Sequence, residues 1–173
     1  MKQLSGKTTS DLVIRAAKND EAAALTRISF EAKKYWNYPE EYFKIWEKEL
    51  RVTPQYLNDN DVFVCRENGE IVGYYSLVCM REKMEVSGIT LSEGYWLDHM
   101  FVIPACIGLG MGSRMFAHLY QWCKIQDIEK IHILADPHAK GFYEKMGCKY
   151  LMEYPSTIPG RTTPLLIMQI AGR

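Results

Sequence analysis

The stretch YWLDHMFVIPACIGLGMGSRMFAHLYQWC, residues 95–123, constrains the fold of this chain more than any other. A β-prone apolar run closes at Pro104, glycines follow at alternate positions (Gly108, Gly110, Gly112), and a helical pattern begins at Met111. Met111, Met115, Leu119 and then Trp122 or Cys123 recur about one helical turn apart, which predicts a helix over about 111–124 with one apolar stripe. A strand, a glycine turn and a helix start make an anion cradle, because the first amides of a helix lack internal acceptors and glycines let a ligand approach them. KIHILA (130–135) reads as the next strand, so the two strands form a βαβ unit and are expected to run parallel.

The remaining elements build one domain around that unit. LVIRAA (12–17) is β-prone, and Asn19 or Asp20 caps a helix whose apolar stripe includes Ala24, Leu25 and Ile28. Pro39 opens a second helix, and Thr53-Pro54 breaks it or starts another short one. Val62–Arg66 and Ile71–Met80 flank Asn68-Gly69, the strongest short hairpin signal. PHAKGFYEKMG is a helix ended by Gly147, and CKYLMEY and TPLLIMQI are late strands. The order is β-α-α-β-β-β-α-β-α-β-β, an α/β (α+β) domain with a single mixed sheet and helices on its faces.

Composition excludes several classes. Lys plus Arg equals Asp plus Glu at 21 each, so no net field calls for nucleic acid or anionic lipid. Cys65, Cys79, Cys106, Cys123 and Cys148 are odd in number and contain no CxxC pair, which reads as free thiols in a reducing, cytoplasmic setting rather than a disulfide framework or a zinc site. Residues 1–11 lack the apolar core of a secretion signal and read as a flexible extension of a single domain spanning 1–173. The apolar stretch from Met100 to Met111 is too short for a bilayer and is broken by Pro104 and glycines.

The glycine turn fits neither of two common nucleotide devices. A Walker loop needs Gly-Lys-Ser/Thr, whereas Gly112 is followed by Ser113 and Arg114. A dinucleotide fingerprint from Gly108 and Gly110 needs its third glycine where Ser113 stands, and it would sit early, after the first strand of a parallel series. What remains is a helix N-terminus holding a pyrophosphate, or a glycine-rich strand-to-helix turn that holds nothing.

Two segments, in register, resemble the GNAT superfamily of acyl-CoA-dependent N-acyltransferases. Val102-Ile103-Pro104 followed by Ile107-Gly108-Leu109-Gly110-Met111-Gly112 is similar to V-x-P and Arg/Gln-x-x-Gly-x-Gly/Ala, and DPHAKGFYEKMGC (136–148) to N-x-x-A-x-x-F-Y-x-x-x-G-F. The resemblance implies a mostly antiparallel sheet with a central, splayed parallel pair. Acetyl-CoA would lie in the splay, its pantetheine arm on the backbone of Met100, Phe101 and Val102 and its pyrophosphate on the amides from Gly108 to Ser113. Asp136, Ala139 and Phe142 would flank it. Ile107 and Asp136 depart from the pattern, where Arg or Gln and Asn are usual.

The resemblance also implies acetyl transfer to a primary amine of a small molecule, with no metal and no covalent enzyme intermediate. The alternatives are a protein or peptide N-acetyltransferase and a non-catalytic acyl-CoA-binding module. An alkylamine with a pKa of about 10.4 must lose a proton before it attacks, the tetrahedral oxyanion needs a donor, and the thiolate must be protonated or solvated. Tyr143 stands at the family's tyrosine position and is the candidate acid. Asp98 and His99 are the candidate bases. As neighbours on a strand they are expected on opposite faces, only one of them towards the cleft. Cys106 has no cationic partner nearby in sequence and is not read as a nucleophile. Tyr35, Trp36 and Tyr38, beside Pro39, are the candidate acceptor wall, where aromatic faces attract ammonium groups. Arg161 is expected in solvent, and the protein is expected as a monomer or homodimer.

Overall fold

The computed structural model describes residues 11–86 and 89–171. The expected extension over residues 1–11 lies, apart from Asp11, outside the described residues. In chain order the elements are β1 (Leu12–Ala16), α1 (Ala22–Lys34), α2 (Glu40–Trp46), α3 (Pro54–Asp59), β2 (Asp61–Glu67), β3 (Glu70–Met80), β4 (Met84–Val86), β5 (Ile89–Leu91), β6 (Gly94–Val102), α4 (Met111–Ile125), β7 (Lys130–Leu134), α5 (Lys140–Lys145), β8 (Lys149–Pro155) and β9 (Thr162–Gln169). Thr53 accepts a hydrogen bond from the Tyr56 amide and Pro54 follows it, so Thr53-Pro54 starts a new helix, α3.

Seven strands form one sheet in the order β1-β2-β3-β6-β7-β9-β8, and β4 and β5 form a separate small hairpin. Every pairing in the large sheet is antiparallel except β6 with β7, as expected of the βαβ unit. Asn68 (φ 51°) and Gly69 (φ 88°) make the β2–β3 turn, the left-handed pair that matches strand twist. The β4–β5 hairpin is not foreseen from the sequence, because three-residue strands are too short to show a period.

Alternation along the central strands assigns each helix to a face. Phe63, Cys65, Tyr75 and Leu77 pack with Met115, Phe116, Leu119 and Cys123 of α4 and Tyr143 of α5. Val62, Val64 and Tyr74 pack with Ala22, Leu25 and Ile28 of α1. Cys123, not Trp122, completes the α4 stripe: its side chain is buried, whereas Trp122 lies against Phe63 and donates to Asp61 at 3.4 Å. Phe43 and Trp46 of α2 form a third cluster with Leu50 and Ile158, which closes the sheet face over its middle strands. Among the described residues no helix is long and apolar enough to cross a membrane.

Candidate active site

The strand order creates the site. β7 pairs with β6 only through Tyr95↔Ile131, Trp96↔His132 and Leu97↔Ile133. Beyond Leu97, β6 continues beside β3 to Val102, and β7 stays with β9 as far as Leu134. The reason is local. Ser76 pairs with His99 and Leu77 with Leu97, so Asp98 is an extra residue, a β-bulge. A bulge bends its strand and increases its twist, which turns the end of β6 away from β7. A cleft of about 410 Å³ opens at the gap, lined from both strands and by Glu49, Tyr56, Tyr143 and Arg161.

The bulge also corrects the expectation that Asp98 and His99 face opposite ways. Leu97 enters the core under α4, and Asp98 and His99 both line the cleft, with Asp98 Oδ2 3.6 Å from His99 Nε2. Alternation holds only in a regular strand, and the extra residue cancels it. Asp98 is 44% exposed and accepts a 2.6 Å hydrogen bond from the Tyr56 hydroxyl. Ser76 lies 2.7 Å from that hydroxyl and accepts the His99 amide at 3.1 Å, which ties the bulge together.

His99 is buried, and both ring nitrogens are taken. Nε2 lies 2.8 Å from the Glu49 carbonyl, a group that only accepts, so Nε2 carries a hydrogen. Nδ1 lies 2.9 Å from the Tyr74 hydroxyl, itself 2.5 Å from Ser29 Oγ. Of the two candidate bases, only Asp98 presents an open face to the cleft.

The glycine turn connects the end of β6 to α4. Gly108 (φ 79°) and Gly110 (φ 86°) are left-handed, the conformation that L side chains resist, and a Cβ on either would meet open space. Gly112 serves packing instead, since its Cβ would sit 3.3 Å from the Phe142 ring. The amides of Gly108, Gly110, Met111, Gly112 and Ser113 have no acceptor among the described residues. Those of Ile107 and Leu109 are already used, on Pro104 and Cys106. The expected cradle is therefore five amides rather than a continuous six, and it fits a pyrophosphate at a helix start.

Backbone direction on β6 follows from its neighbours. Ile103 N–H donates to Val72 and His99 N–H to Ser76, both towards β3. Strand alternation then turns the backbone of Met100 and Val102 to the edge that β7 has left, and that of Phe101 back to β3. Tyr143 lines the cleft near Asp136 and Ala139 and is buried against Phe116 and Phe142. Among the described residues its hydroxyl has no hydrogen-bond partner, and burial pushes its pKa up. Burial also pushes the Cys106 thiol up, which disfavours the nucleophilic thiolate.

The model of the acetyltransferase (GNAT) family matches residues 14–148. The chain belongs to that family. Its fold is similar to that of the PaiA N-acetyltransferase from Thermoplasma acidophilum in complex with coenzyme A, at 15% identity and a TM-score of 0.70 over 92% of this chain and 99% of that one. It is also similar to the ribosomal-protein-S18-alanine N-acetyltransferase from Escherichia coli, at 15% identity and a TM-score of 0.63 over 94% and 96% of the two chains. A GNAT acetyltransferase from Brucella melitensis in complex with acetyl-CoA aligns at 16% identity and a TM-score of 0.61 over 92% of this chain and 88% of that one. No curated protein matches the chain by sequence.

Both departures from the GNAT pattern have structural accounts. Ile107 is half-buried against its own turn and contributes no polar group to the cradle. Asp136 is spent on protein rather than free for a ligand: Oδ2 accepts Lys33 Nζ at 2.7 Å, and Oδ1 accepts the Tyr38 hydroxyl at 2.8 Å and the His138 amide at 3.0 Å. An acceptor-only carboxylate suits a buried ammonium better than an amide would. Burial alone would raise Asp136, but the Lys33 charge and these hydrogen bonds outweigh it and hold its pKa below the usual value. Burial pulls Lys33 down, with Asp136 opposing. Tyr38 is pushed up to about 12, by burial and then by Asp136.

The expected aromatic wall is displaced. Tyr35 and Trp36 lie outside the cleft, with Trp36 stacked on His138 at 4.3 Å and Tyr35 edge-on to Trp36. Tyr38 does not line the cleft but meets its residues Asp136, Arg161 and Trp46. The rings that line the cleft are Trp46, Tyr56, Phe101, Tyr143 and the imidazole of His99. Arg161 is not in solvent: its side chain is 14% exposed, its guanidinium 5.1 Å from the Tyr38 ring centre and 5.4 Å from that of Trp46. Glu49, Tyr56 and Lys33 are the site residues that sequence reading misses, since no local pattern marks them.

Proposed function

We propose that this chain transfers an acetyl group from acetyl-CoA to a primary amine of a small molecule, by direct attack of the amine nitrogen. The observation that carries this reading is the parting of β6 from β7 at Leu97, which opens a cleft lined by Asp98 and Tyr143, while the chain that leaves β6 runs on into the free amides of the glycine turn. Its volume, about 410 Å³, lies in the small-molecule range of about 300–1,000 Å³. The five free amides and the α4 dipole would hold the pyrophosphate, and the outward backbone of Met100 and Val102 the pantetheine arm.

Acetyl-CoA supplies a thioester whose C–S bond breaks as the carbon–nitrogen bond forms. Glu49 binds the acceptor as an ammonium ion, and the half-exposed Asp98 relays one of its protons to solvent, which frees the lone pair. The Met100 amide donates to the charge developing on the acetyl oxygen. The second proton leaves the nitrogen as the amide forms and ends on the sulfur. With its pKa raised above 10, Tyr143 cannot hand a full proton downhill to a thiolate of pKa about 8.5, so its hydroxyl acts as a hydrogen-bond donor to the departing sulfur. His99 fixes the loop carrying Glu49 through its bond to the Glu49 carbonyl.

The test is thiol release from acetyl-CoA by the full chain against a panel of amino acids, arylalkylamines and aminoglycosides. Asp98→Asn is expected to lower kcat by about 100-fold, within the range of general bases, and leave KM for acetyl-CoA unchanged. Tyr143→Phe is expected to lower kcat by about tenfold, the smaller effect of one lost hydrogen bond. Absence of turnover with every amine, or an Asp98→Asn enzyme as fast as wild type, overturns the reading.

A further inference from the structure

The charge balance of the cleft reaches further than the transfer reaction. Lys33, Lys48, Arg51 and Arg161 line it, against the carboxylates of Glu49, Asp98 and Asp136. Two of these cations, Lys33 and Arg161, are largely buried and share a single nearby carboxylate. Lys33 holds the hydrogen bond to Asp136 at 2.7 Å, whereas Arg161 stays 3.9 Å away, beyond hydrogen-bond reach. Arg161 instead donates to two neutral hydroxyls, Tyr38 at 3.1 Å and Ser156 Oγ at 3.3 Å.

A guanidinium carries five N–H donors, and a buried charge is stable only when countered and hydrogen-bonded. Asp136 is engaged first by others, accepting from Lys33, Tyr38 and the His138 amide, and its Oδ2 stands 3.9 Å from Arg161. The guanidinium is nonetheless held firmly. Ser156 N–H donates to the Arg161 carbonyl and Arg161 N–H to the Ile158 carbonyl, which closes the 156–161 turn, and the flat face lies over Tyr38 and Trp46. A preorganised fork whose nearest carboxylate is held by Lys33 and stands 3.9 Å off is a receptor for a closer one.

We infer that the acceptor is an amine that also bears a carboxylate, which pairs with Arg161 while its ammonium meets Glu49 and Asp98. The inference rests on the acetyl-transfer reading and narrows its substrate class to amino-carboxylates. A simple cationic amine would leave the spare donors of Arg161 without an acceptor. A zwitterion brings the missing negative charge and fills the unused donors of Arg161.

Matched pairs of acceptors test this with the full chain: phenylalanine against phenethylamine, tyrosine against tyramine, and norvaline against butylamine. The member with the carboxylate is expected to have at least about tenfold higher kcat/KM, the effect of one charge-assisted pair. Arg161→Gln is expected to collapse that ratio towards unity, and Arg161→Lys, which keeps the charge but loses the fork, to give an intermediate ratio. Equal use of both members by wild type overturns the inference, as does an Arg161→Gln protein that folds and keeps the ratio. If Arg161→Gln does not fold, the Arg161→Lys ratio decides in the same sense. If no amine is turned over, the transfer reading has failed and the inference is read separately from melting of the CoA-loaded chain. Stabilisation by the carboxylate member alone, lost in Arg161→Lys, supports it, and equal or no stabilisation overturns it.

Discussion

The two walls of the cleft are made of different material. The proposed donor side is largely backbone: β6 beyond its bulge lines the cleft, and the glycine turn and the first turn of α4 follow it in the chain, contiguous from Asp98 to Ser113. The acceptor wall is side chains brought from far apart, Lys33 on α1, Trp46 on α2, Glu49 and Tyr56 beyond it, and Arg161 before β9. Backbone amides can hold a ligand whatever the side chains are, so a family can keep its co-substrate while its sequences diverge. A wall of side chains can be rewritten residue by residue, and acceptor choice changes without disturbing the donor site. Three links join the two sides: Tyr56 donates to Asp98, His99 meets the Glu49 carbonyl, and Asp136, two residues after β7, forms the charged link, to Lys33.

Breaking the charged link is expected to have the largest effect. Both side chains are 14% exposed, so removing one leaves the other charge buried and unpaired. Lys33→Met and Asp136→Asn are each expected to lower stability by about 3 kcal/mol, roughly 10 °C in Tm, with the double variant losing less than the sum. Additive losses in a thermal-melt cycle would show two walls that stand independently. Acid acts in the same direction. The folded pKa of Asp136 is depressed, so its stabilisation is present above the unfolded value of about 3.9 and is lost as pH falls through the folded one.

Gly110→Ala addresses the donor wall alone. At φ 86° alanine has room for its Cβ but meets backbone strain of about 1–2 kcal/mol. The turn is expected to relax away from its cradle shape, raising KM for acetyl-CoA by about fivefold or more and leaving acceptor KM in place. A rise in both constants would mean that the cradle also shapes the acceptor side.

Glu49→Gln is the matching change on the acceptor wall. Burial, aided by the Asp98 charge, raises the Glu49 pKa, while Thr157 and Lys33 pull the other way. Its sign is opposite to that of Asp136. Glu49 favours the fold below its unfolded pKa, and that contribution is lost as pH rises through its raised folded value. The acidic limb of kcat/KM for the acceptor is therefore expected above the ordinary glutamate pKa of 4.5. Glu49→Gln should remove that limb, raise acceptor KM and slightly increase Tm at neutral pH. A limb that persists in the variant belongs to another group.

The same division explains what could be read from the sequence. The βαβ unit, the glycine turn and the α5 motif are local patterns, and each stands where its spacing placed it. Asp98 and His99 were legible as candidates, but their orientation was not, because the bulge depends on Ser76 of a different strand, whose hydroxyl receives the His99 amide. Lys33, Glu49 and Arg161 carry no local signature at all. They become a site only when α1, the segment after α2 and the 156–161 turn pack over the end of β7. The acceptor wall is tertiary information, whereas the donor wall is largely secondary.

Trp36→Ala is expected to have the smallest effect and marks where the acceptor wall ends. The dense aromatic run YWNY (35–38) invites a reading as a cation-binding surface. Its rings divide otherwise. Tyr38 turns inward to Asp136 and Arg161, and Trp36 lies flat on His138 with planes only 4° apart. That stack braces the loop before α1's successor helix against the turn leading into α5, outside the cleft. Losing it should remove a stacking contribution of about 0.5–1.5 kcal/mol from stability, a fall of a few degrees in Tm at most. KM for acceptor and for acetyl-CoA should each stay within about twofold, below the effect of one weak hydrogen bond. An acceptor KM raised fivefold or more, with Tm unchanged, would place Trp36 on the acceptor's path and extend the side-chain wall past Tyr38 to the rim.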